Sequence, residues 1–287
     1  MTMIRKLTIA CFLLLTAVSI QAQSACTRTE LKAAADSYVA AQGAGDISKM
    51  VLADDAKFFE NMAEVSKDKG LWNTALKIDL SRSFLDTERC KTFTEIIVTD
   101  KKHPYVLGTR LSLSAGKITE INGLVTDKGD WLFNANAYLK YSSAEDWGTL
   151  SYNQQTSKQG LIDAANHYLD LFSDKFSEAN WGIPCARLEG GAYTNRSNDP
   201  HATCNIGVPA GVLYIVNRDY VVDKEKGVVN VFCRFGDSRN GMPDSHTFRI
   251  INGEYHNIHT LSVNLNPDRP SPQAADDGSM IRPPNGG

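Results

Sequence analysis

The sequence lacks basic runs, nucleotide-binding motifs and the usual signatures of hydrolases. The chain carries 30 Lys and Arg against 33 Asp and Glu, and the positive residues are scattered. Because phosphate contacts need clustered Lys and Arg, we expect no nucleic-acid partner and no anionic-membrane partner. The Ser-His-Asp signature, the phosphate loop and the dinucleotide fingerprint are also missing, so we expect no cofactor.

Only the N-terminus has a marked apolar run, and it has the order of a secretory signal peptide. Arg5 and Lys6 precede LTIACFLLLTAVSI, and small and polar residues follow. About fourteen apolar residues are fewer than the roughly 20 that span a bilayer, which argues against a retained anchor. We therefore predict a signal peptide over residues 1–22 and a secreted or secretory-pathway protein. Cleavage would change the formal charge from −3 to about −5. Lipid attachment at Cys26 stays open as an alternative.

The chain repeats itself. TRTELKAAADSYVAA (27–41) and SKQGLIDAANHYLDL (157–171) share leucine, alanine and tyrosine positions at a constant offset of about 130. TRLSLSAGKITEING (109–123) and HTFRIINGEYHNIHT (246–260) both place a glycine turn between alternating strands, at an offset of about 137. Two elements in the same order at nearly constant spacing indicate a tandem duplication.

Each repeat begins with an amphipathic helix and ends in a hairpin, with strand-like runs between. This order predicts the α+β class, with helices packed on one face of a curved antiparallel sheet. We expect a first unit over 23–148 and a second over 149–265. From residue 266 the chain is rich in proline and poor in apolar residues, so 266–287 is expected to be a disordered tail.

A helix that leads into a bent antiparallel sheet resembles the cone fold of the NTF2-like, SnoaL-like and ketosteroid-isomerase-like proteins. Several stretches also resemble a family of secreted fungal two-unit proteins, including LKIDLSRSFLDTERCKTFTEIIVTDKKHPYVLGTRL, GDWLFNANAYLKYSSAEDWG, WGIPCARLEGGAY and DSHTFRIINGEYHNIHT. The likeness covers most of 26–262. It implies a tandem cone fold and, through family members in maleidride (dimeric anhydride) gene clusters, a role in coupling two anhydride monomers. A shared scaffold says little about chemistry by itself.

Five cysteines follow the predicted cleavage site, and none forms a CxxC pair, which argues against structural zinc. In an oxidising compartment disulfides are the default. Cys26 and Cys90 would join the first helix to the sheet, and Cys185 and Cys204 bracket a loop. Related chains carry a further cysteine after the last strand, where this one reads LSVNLN, so Cys233 is expected to be a buried free thiol.

The loop between Cys185 and Cys204 contains the sequon Asn195-Arg196-Ser197. Because the surrounding residues are loop-like, we predict glycosylation at Asn195, with an unused triplet as the alternative. Arg187 and Glu189 in the same region are interpreted as an ion pair that anchors the loop.

Three of the six histidines fall in DSHTFRIINGEYHNIHT, residues 244–260. If Asn252-Gly253 is a two-residue type I′ turn, positions whose numbers sum to 505 face each other, and His246 lies opposite His259. The more apolar face of this hairpin should then line the cavity; it includes Asp244, His246, Phe248, Tyr255, Asn257 and His259. A one-residue bulge would move every later side chain to the other face.

The predicted catalytic residues are His246, His259 and Asp244. Two facing imidazoles that share a proton offer a base and an acid together, and Asp244 would orient His246. The predicted substrate-binding residues are Phe248, Tyr255 and Asn257; the last two would donate to an enolate oxygen. A metal held by the two histidines and Asp244 is a weaker alternative, and we expect none.

The first unit offers a comparison, because subtracting 137 places Thr109 and Asn122 at the positions of the two histidines. The fold therefore does not require histidine there. Histidines satisfied by backbone or water are the plain alternative.

Two hypotheses follow. The first is a cofactor-free proton-transfer enzyme of the isomerase or cyclase type that acts on a small, polyketide-derived substrate. Through the resemblance, the specific reaction is the dimerising cyclisation of maleic-anhydride monomers. The second is a secreted, non-catalytic binding protein for an apolar small molecule. Only the first requires a rate that depends on the histidines.

Overall fold

The computed structural model describes residues 26–174, 176–205, 213–236, 241–266, 268 and 271–281. The predicted signal peptide, residues 1–22, lies outside this part of the chain. Two units follow one another, and each contains one long helix and six strands in the same order. Strands dominate, so the predicted α+β class is confirmed only in part.

The first unit begins with helix α1, Arg28–Ala44. Thr27 and Glu30 form the capping box that satisfies the first free N–H groups of this helix. The six strands that follow are β1 Leu52–Glu60, β2 Ala63–Glu64, β3 Leu80–Asp86, β4 Lys91–Val98, β5 Tyr105–Ser114 and β6 Lys117–Thr126.

A short helix, α2 Ala135–Ser142, lies in the segment between the units. The second unit begins with helix α3, Lys158–Asp170. Its strands are β7 Trp181–Glu189, β8 Ala192–Tyr193, β9 Ile215–Asp223, β10 Val228–Phe235, β11 Met242–Ile251 and β12 Glu254–Ser262.

The two sheets have the same strand order, β2-β1-β6-β5-β4-β3 and β8-β7-β12-β11-β10-β9. Neighbouring strands are antiparallel except at one position in each sheet, where β1 pairs parallel with β6 and β7 pairs parallel with β12. The predicted antiparallel sheet is therefore confirmed except at this one pairing in each unit. In the first unit the chain crosses from the β1–β2 hairpin to β3 at the far edge of the sheet. The strands β4, β5 and β6 then return one by one, so that β6 lies beside β1 and runs parallel to it.

Each unit has its own core between its long helix and its sheet. In the first unit Leu31 and Tyr38 of α1 pack against Leu111 and Ile121 of the sheet, and all four are buried. In the second unit the corresponding residues of α3 pack against Phe248 and Ile258. Apolar residues at helical spacing on one side and alternating residues on the other produce these two cores.

The sheet faces that point away from the long helices pack against each other. Phe84 and Phe93 of the first unit meet Phe232 of the second in one buried cluster. At the rim Arg28 binds Asp223 at 2.9 Å and Lys158 binds Asp86 at 3.0 Å.

These rim contacts are reciprocal. Arg28 and Lys158 differ by the helix offset, and Asp86 and Asp223 by the hairpin offset. Each aspartate also accepts a backbone N–H from the opposite unit at 3.0 Å, from Leu85 and Val222. The units therefore pack as the two copies of a symmetric dimer do.

The segment 271–281 corrects the expectation of a disordered tail. It forms a small hairpin, with β13 Gln273–Ala274 paired to β14 Met280–Ile281. Its carbonyls accept hydrogen bonds: Pro272 from Leu132 at 2.8 Å and Gly278 from Tyr193 at 2.9 Å. Because bonds to fixed neighbours satisfy the backbone, the segment orders without an apolar core of its own.

The cysteine predictions are confirmed. Cys26 is bonded to Cys90 and Cys185 to Cys204, and Cys233 is a buried free thiol. Since the sulfur of Cys26 is in a disulfide, it is not available for a lipid. In the described ranges no helix is long and apolar enough to cross a membrane.

Candidate active site in the second unit

A bulge in the last hairpin overturns the predicted histidine pair. The turn is as predicted: Asn252 and Gly253 have positive φ, and Ile251 pairs with Glu254. The register then shifts by one residue, so that His246 pairs with Thr260 and His259 with Thr247. His256 is the extra residue on β12, and from that point the side chains change faces.

The first unit has its bulge at the same place. There Ser112 pairs with Glu120 and Leu113 with Ile118, which leaves Thr119 as the extra residue. Thr119 and His256 differ by the hairpin offset. The bulge is therefore a feature of the repeated scaffold, and the predicted Thr109–Asn122 pair is wrong for the same reason, because Thr109 faces Gly123.

His259 lies between the units and not in a cavity. Its Nδ1 is 2.9 Å from Glu95 of β4, and its Nε2 is 2.6 Å from Glu145 of the linking segment. Arg82 is paired with Glu95 at 3.3 Å. Because both ring nitrogens meet carboxylates, both carry protons, and the ring is an imidazolium.

Burial lowers the pKa of His259, but Glu145 and Glu95 outweigh burial and raise the pKa to about 9. In turn, burial raises the pKa of Glu95, but His259 first, and then Arg82 and Tyr138, lower it to about 2. Two cations and two carboxylates thus neutralise one another in the interface. With both nitrogens occupied, His259 has no lone pair for proton abstraction, so its place in the predicted catalytic pair is not supported by the geometry.

His246 lies on the other face, at the wall of a cavity in the second unit. Its Nδ1 is 2.5 Å from Oδ1 of Asp244, and both side chains are almost completely buried. Asp244 also accepts hydrogen bonds from the hydroxyl of Ser262 and, at 3.6 Å, from the thiol of Cys233. The prediction that Asp244 orients His246 agrees with this geometry.

The cluster determines which nitrogen of His246 is presented to the cavity. Burial, together with the Asp244 carboxylate, raises the pKa of Cys233 well above its usual value, so the thiol keeps its proton and donates. Asp244 is then an acceptor on every side, and Nδ1 of His246 must donate to it. No group among the described residues is hydrogen-bonded to Nε2, so this nitrogen is the one that a molecule in the cavity can reach.

Cys233, Asp244 and His246 also place potential metal-ligand atoms within 4.8 Å of one another. Two nitrogen or oxygen ligands on one tetrahedral zinc would be about 3.3 Å apart. The separation of 2.5 Å between Nδ1 and Oδ1 is that of a short hydrogen bond. The donor set therefore fits a hydrogen-bonded cluster better than a metal site.

The cavity has a volume of about 580 Å³, which suits a small organic molecule. Most of its wall is apolar, with Trp131, Phe172, Phe235, Met242 and Met280. The charged side chains and the histidine in the lining are Arg187, Glu189, Arg196 and His246, and hydroxyl groups come from Tyr168, Tyr193, Thr194, Thr260, Ser262 and Ser279. Tyr168 of α3 forms part of the wall, with its ring 5.7 Å from that of His246.

Three further predicted residues do not line the cavity. Phe248 and Tyr255 are in the core beneath it, where the hydroxyl of Tyr255 donates to the carbonyl of Ala164. Asn257 is on the opposite face of β12, because it follows the bulge. Asn195 lies in the loop after β8, where its amide donates to the carbonyl of Asp199 at 3.1 Å; glycosylation there stays a prediction.

Sequence reasoning missed Thr260 and Ser262, which the bulge turns into the cavity, and the segment Gly278–Met280, which covers one side. The repeat contained a usable signal for the bulge. The hairpin turns of the two units align at the offset of 137. Thr119 and His256 then fall at the same distance after the turn, and both are polar residues at the position of the bulge. The role of the C-terminal hairpin had no such signal.

The corresponding positions of the first unit are apolar or neutral. Cys233 pairs with Asp244 across two strands, and Ile96 pairs with Leu107 in the same place. Ser262 corresponds to Val125, which pairs with Leu107 as Ser262 pairs with Asp244. Thr109, in the place of His246, is hydrogen-bonded to the hydroxyl of Tyr38 at 2.7 Å.

Comparisons with known proteins identify related domains but no activity. A family model described as a domain of unknown function (DUF8021) matches residues 154–262. No curated protein matches. One similar solved structure is AclR of Streptomyces galilaeus, a suggested hydroxylase, with 17% identity over 35% of this chain and 91% of that chain and a TM-score of 0.27.

A second is an NTF-2 like protein of unknown function from Burkholderia xenovorans LB400. It is 16% identical over 42% of this chain and 97% of its own, with a TM-score of 0.29. Similarity at this level says nothing about the reaction. The match to the domain family covers residues 154–262, which lie in the second unit.

Proposed function

We propose that this protein is a cofactor-free proton-transfer enzyme whose active site is the cavity of the second unit. His246 is the base and Asp244 is its positioning residue. The substrate is a small, largely apolar molecule with an acidic carbon next to a carbonyl or anhydride group. Each unit is proposed to be an NTF2-like cone, of which only the second has a reactive site.

A single observation carries this proposal. The polar cluster of Asp244, His246, Ser262 and Cys233 is buried at the cavity wall, and the first unit replaces every member with a residue that cannot transfer a proton at neutral pH. A carboxyl group and an imidazole are costly to bury. Their presence in only one of two equal scaffolds favours chemistry over a structural role.

The proposed step begins when Nε2 of His246 removes a proton from the acidic carbon. The electron pair of the broken C–H bond passes to the carbonyl oxygen and produces an enolate. For the carbon attached to a maleic-anhydride ring, the pair forms a new C=C to the ring, and the ring C=C electrons move to the carbonyl oxygen. Asp244 stabilises the imidazolium through Nδ1. Thr260 pairs with His246 across the strands, so its hydroxyl is a near neighbour that can donate to the enolate oxygen.

Two outcomes are open to the enolate. The imidazolium can return its proton to a different carbon, which isomerises the substrate. Alternatively the enolate carbon attacks an electron-poor C=C carbon of a second molecule and forms a carbon–carbon bond. The π electron pair of that C=C moves to the carbonyl oxygen of the second molecule, and the imidazolium gives its proton to the resulting enolate. The resemblance to proteins of maleidride clusters favours the second outcome, the dimerising cyclisation of maleic-anhydride monomers. A polyketide-derived anhydride has both the acidic carbon and the electron-poor carbon that this step needs.

The test is hydrogen exchange at carbon. An alkyl-substituted maleic anhydride is incubated with the protein in D2O, and deuterium at the carbon attached to the ring is followed by mass spectrometry. The wild-type protein should accelerate exchange. His246→Gln should lower the rate by about 10²- to 10⁴-fold, the usual worth of a general base.

His256→Gln is the matched control, because His256 lies at the bulge and its Nδ1 meets only the carbonyl of Pro184. It should exchange at the wild-type rate. If His246→Gln and wild type exchange deuterium equally fast, the proton-transfer proposal is wrong. A secreted binding protein is the alternative: it would hold the anhydride in the cavity without any exchange above the uncatalysed rate.

A further inference from the structure

Arg187 brings a nearly buried guanidinium to the cavity of the second unit, and the proton-transfer step does not use it. Arg187 lies on β7, and its side chain is 8% exposed. Glu189 pairs with Thr260 on the adjacent strand, and Arg187 is two residues earlier on the same face. Its charged group is therefore on the wall that also carries His246 and Thr260.

Tyr168 connects Arg187 with the base. The hydroxyl of Tyr168 is hydrogen-bonded to Arg187, and the ring of Tyr168 lies beside the ring of His246. Burial raises the pKa of Tyr168 far above its usual value, so this hydroxyl stays protonated. Tyr168 thus neighbours both residues, Arg187 through its hydroxyl and His246 through its ring.

The fold does not require an arginine at this position. Arg187 pairs with Ile258, and in the first unit Phe58 pairs with Ile121 in the same place. Glu189 corresponds to Glu60, which caps the backbone N–H of Leu71 at 2.7 Å without any arginine. The glutamate is common to both units and the arginine is not.

A permanent charge beside a mainly apolar cavity is costly unless it is paired or hydrogen-bonded. Glu189 is 3.3 Å from Nε of Arg187, so the two charges compensate each other. A planar guanidinium at a cavity wall is suited to a carboxylate.

We infer that Arg187 is a specificity-determining residue and that the substrate is an apolar acid, with a carboxylate separate from its reacting carbon. This inference rests on the proposed function. The carboxylate binds near Arg187, the apolar body lies against Trp131 and Phe235, and the acidic carbon reaches Nε2 of His246. A neutral molecule of the same shape gains nothing from Arg187 and binds less tightly.

The experiment compares two probes that differ only in the acid group, decanoate and methyl decanoate, by calorimetric titration of the full mature chain. We expect wild type to bind decanoate about 10- to 100-fold more tightly, the range for a hydrogen bond to a charged group. Arg187→Gln should lose this preference, and Arg187→Lys should keep part of it. Arg196→Gln, at the exposed rim of the same cavity, is the matched control and should retain it.

Arg187→Phe copies the first unit and serves as a second folded variant. The inference is overturned if wild type binds both probes equally, if it binds neither at millimolar concentration, or if folded Arg187→Gln still prefers decanoate. His246→Gln should still prefer decanoate. A loss of exchange in that variant therefore tests the base, and the probe preference tests Arg187 alone.

Discussion

The two units share their scaffold down to a bulge, yet their interiors differ in kind. Thr119 and His256 are the extra residues of the same hairpin, and strand order and the parallel closure are identical. The first interior contains Ile96, Leu107 and Thr109 where the second contains Cys233, Asp244 and His246. The first unit shows that the fold forms without these polar residues. Their presence in the second unit therefore needs a functional explanation.

The comparison also separates two buried histidines on one strand pair. His246 points into the second unit with one nitrogen on Asp244, and His259 points out of it with a carboxylate on each nitrogen. In the proposed reaction the first accepts a proton, whereas the second holds one between two carboxylates. A shift of one residue in the hairpin places the two histidines on opposite faces of the sheet.

The largest loss of activity is expected when cavity residues of the second unit are replaced by the corresponding residues of the first. Asp244→Leu combined with His246→Thr should fold, since Leu107 and Thr109 occupy these places in the other unit. Because the base and its positioning residue are gone, carbon exchange should fall by about 10²- to 10⁴-fold. Circular dichroism confirms the fold; retained exchange in a folded variant would place the site elsewhere.

The next effect concerns the interface between the units. Glu95→Gln removes one carboxylate from His259 and from Arg82 and leaves buried positive charge uncompensated. The free energy of unfolding should fall by about 3–5 kcal/mol, as when one partner of a buried ion pair is removed. Urea denaturation measures the change. The exposed Lys32–Asp36 pair is the control, and Asp36→Asn should have little effect.

The disulfides should rank by the loops they close. Cys26–Cys90 spans 64 positions and Cys185–Cys204 spans 19. The chain-entropy model assigns them about 4 and 3 kcal/mol. Paired serine substitutions, compared by urea denaturation, should show the larger loss in the first unit, and the reverse order would mean that native contacts outweigh loop entropy.

A smaller effect is expected from pH. The folded pKa of His259, about 9, lies above the unfolded value of about 6.5. The protonated His259 therefore stabilises the folded state fully below pH 6.5, and this contribution is lost as the pH rises through 9. Between pH 6.5 and pH 9.5 the free energy of unfolding should fall by about 2–3 kcal/mol. His259→Asn, the residue of the first unit at this position, should lack this dependence. A wild-type protein equally stable at pH 6.5 and pH 9.5 contradicts it.

Local signals in the sequence predicted the repeated helices, the glycine turns and both disulfides, because capping, hairpin turns and cysteine spacing act over short distances. The register of the last hairpin was wrong beyond Tyr255, since His256 is polar and half-buried and suits either face. His259 meets Glu95 164 positions away, and no periodicity in the sequence reports such a contact. The C-terminal hairpin escaped prediction because backbone hydrogen bonds, and not an apolar pattern, hold it.

The most direct test of the central claim is a nitrogen-15 NMR spectrum of the histidine side chains at pH 7.5, assigned with His246→Gln and His259→Asn. We predict that His246 carries its proton on Nδ1 and none on Nε2, and that His259 is protonated on both nitrogens. Saturation with decanoate should then shift the His246 signals and leave those of His259 in place. A proton on Nε2 of His246, or a neutral His259, would contradict the assignment of the base to the second unit's cavity and of the cation to the interface.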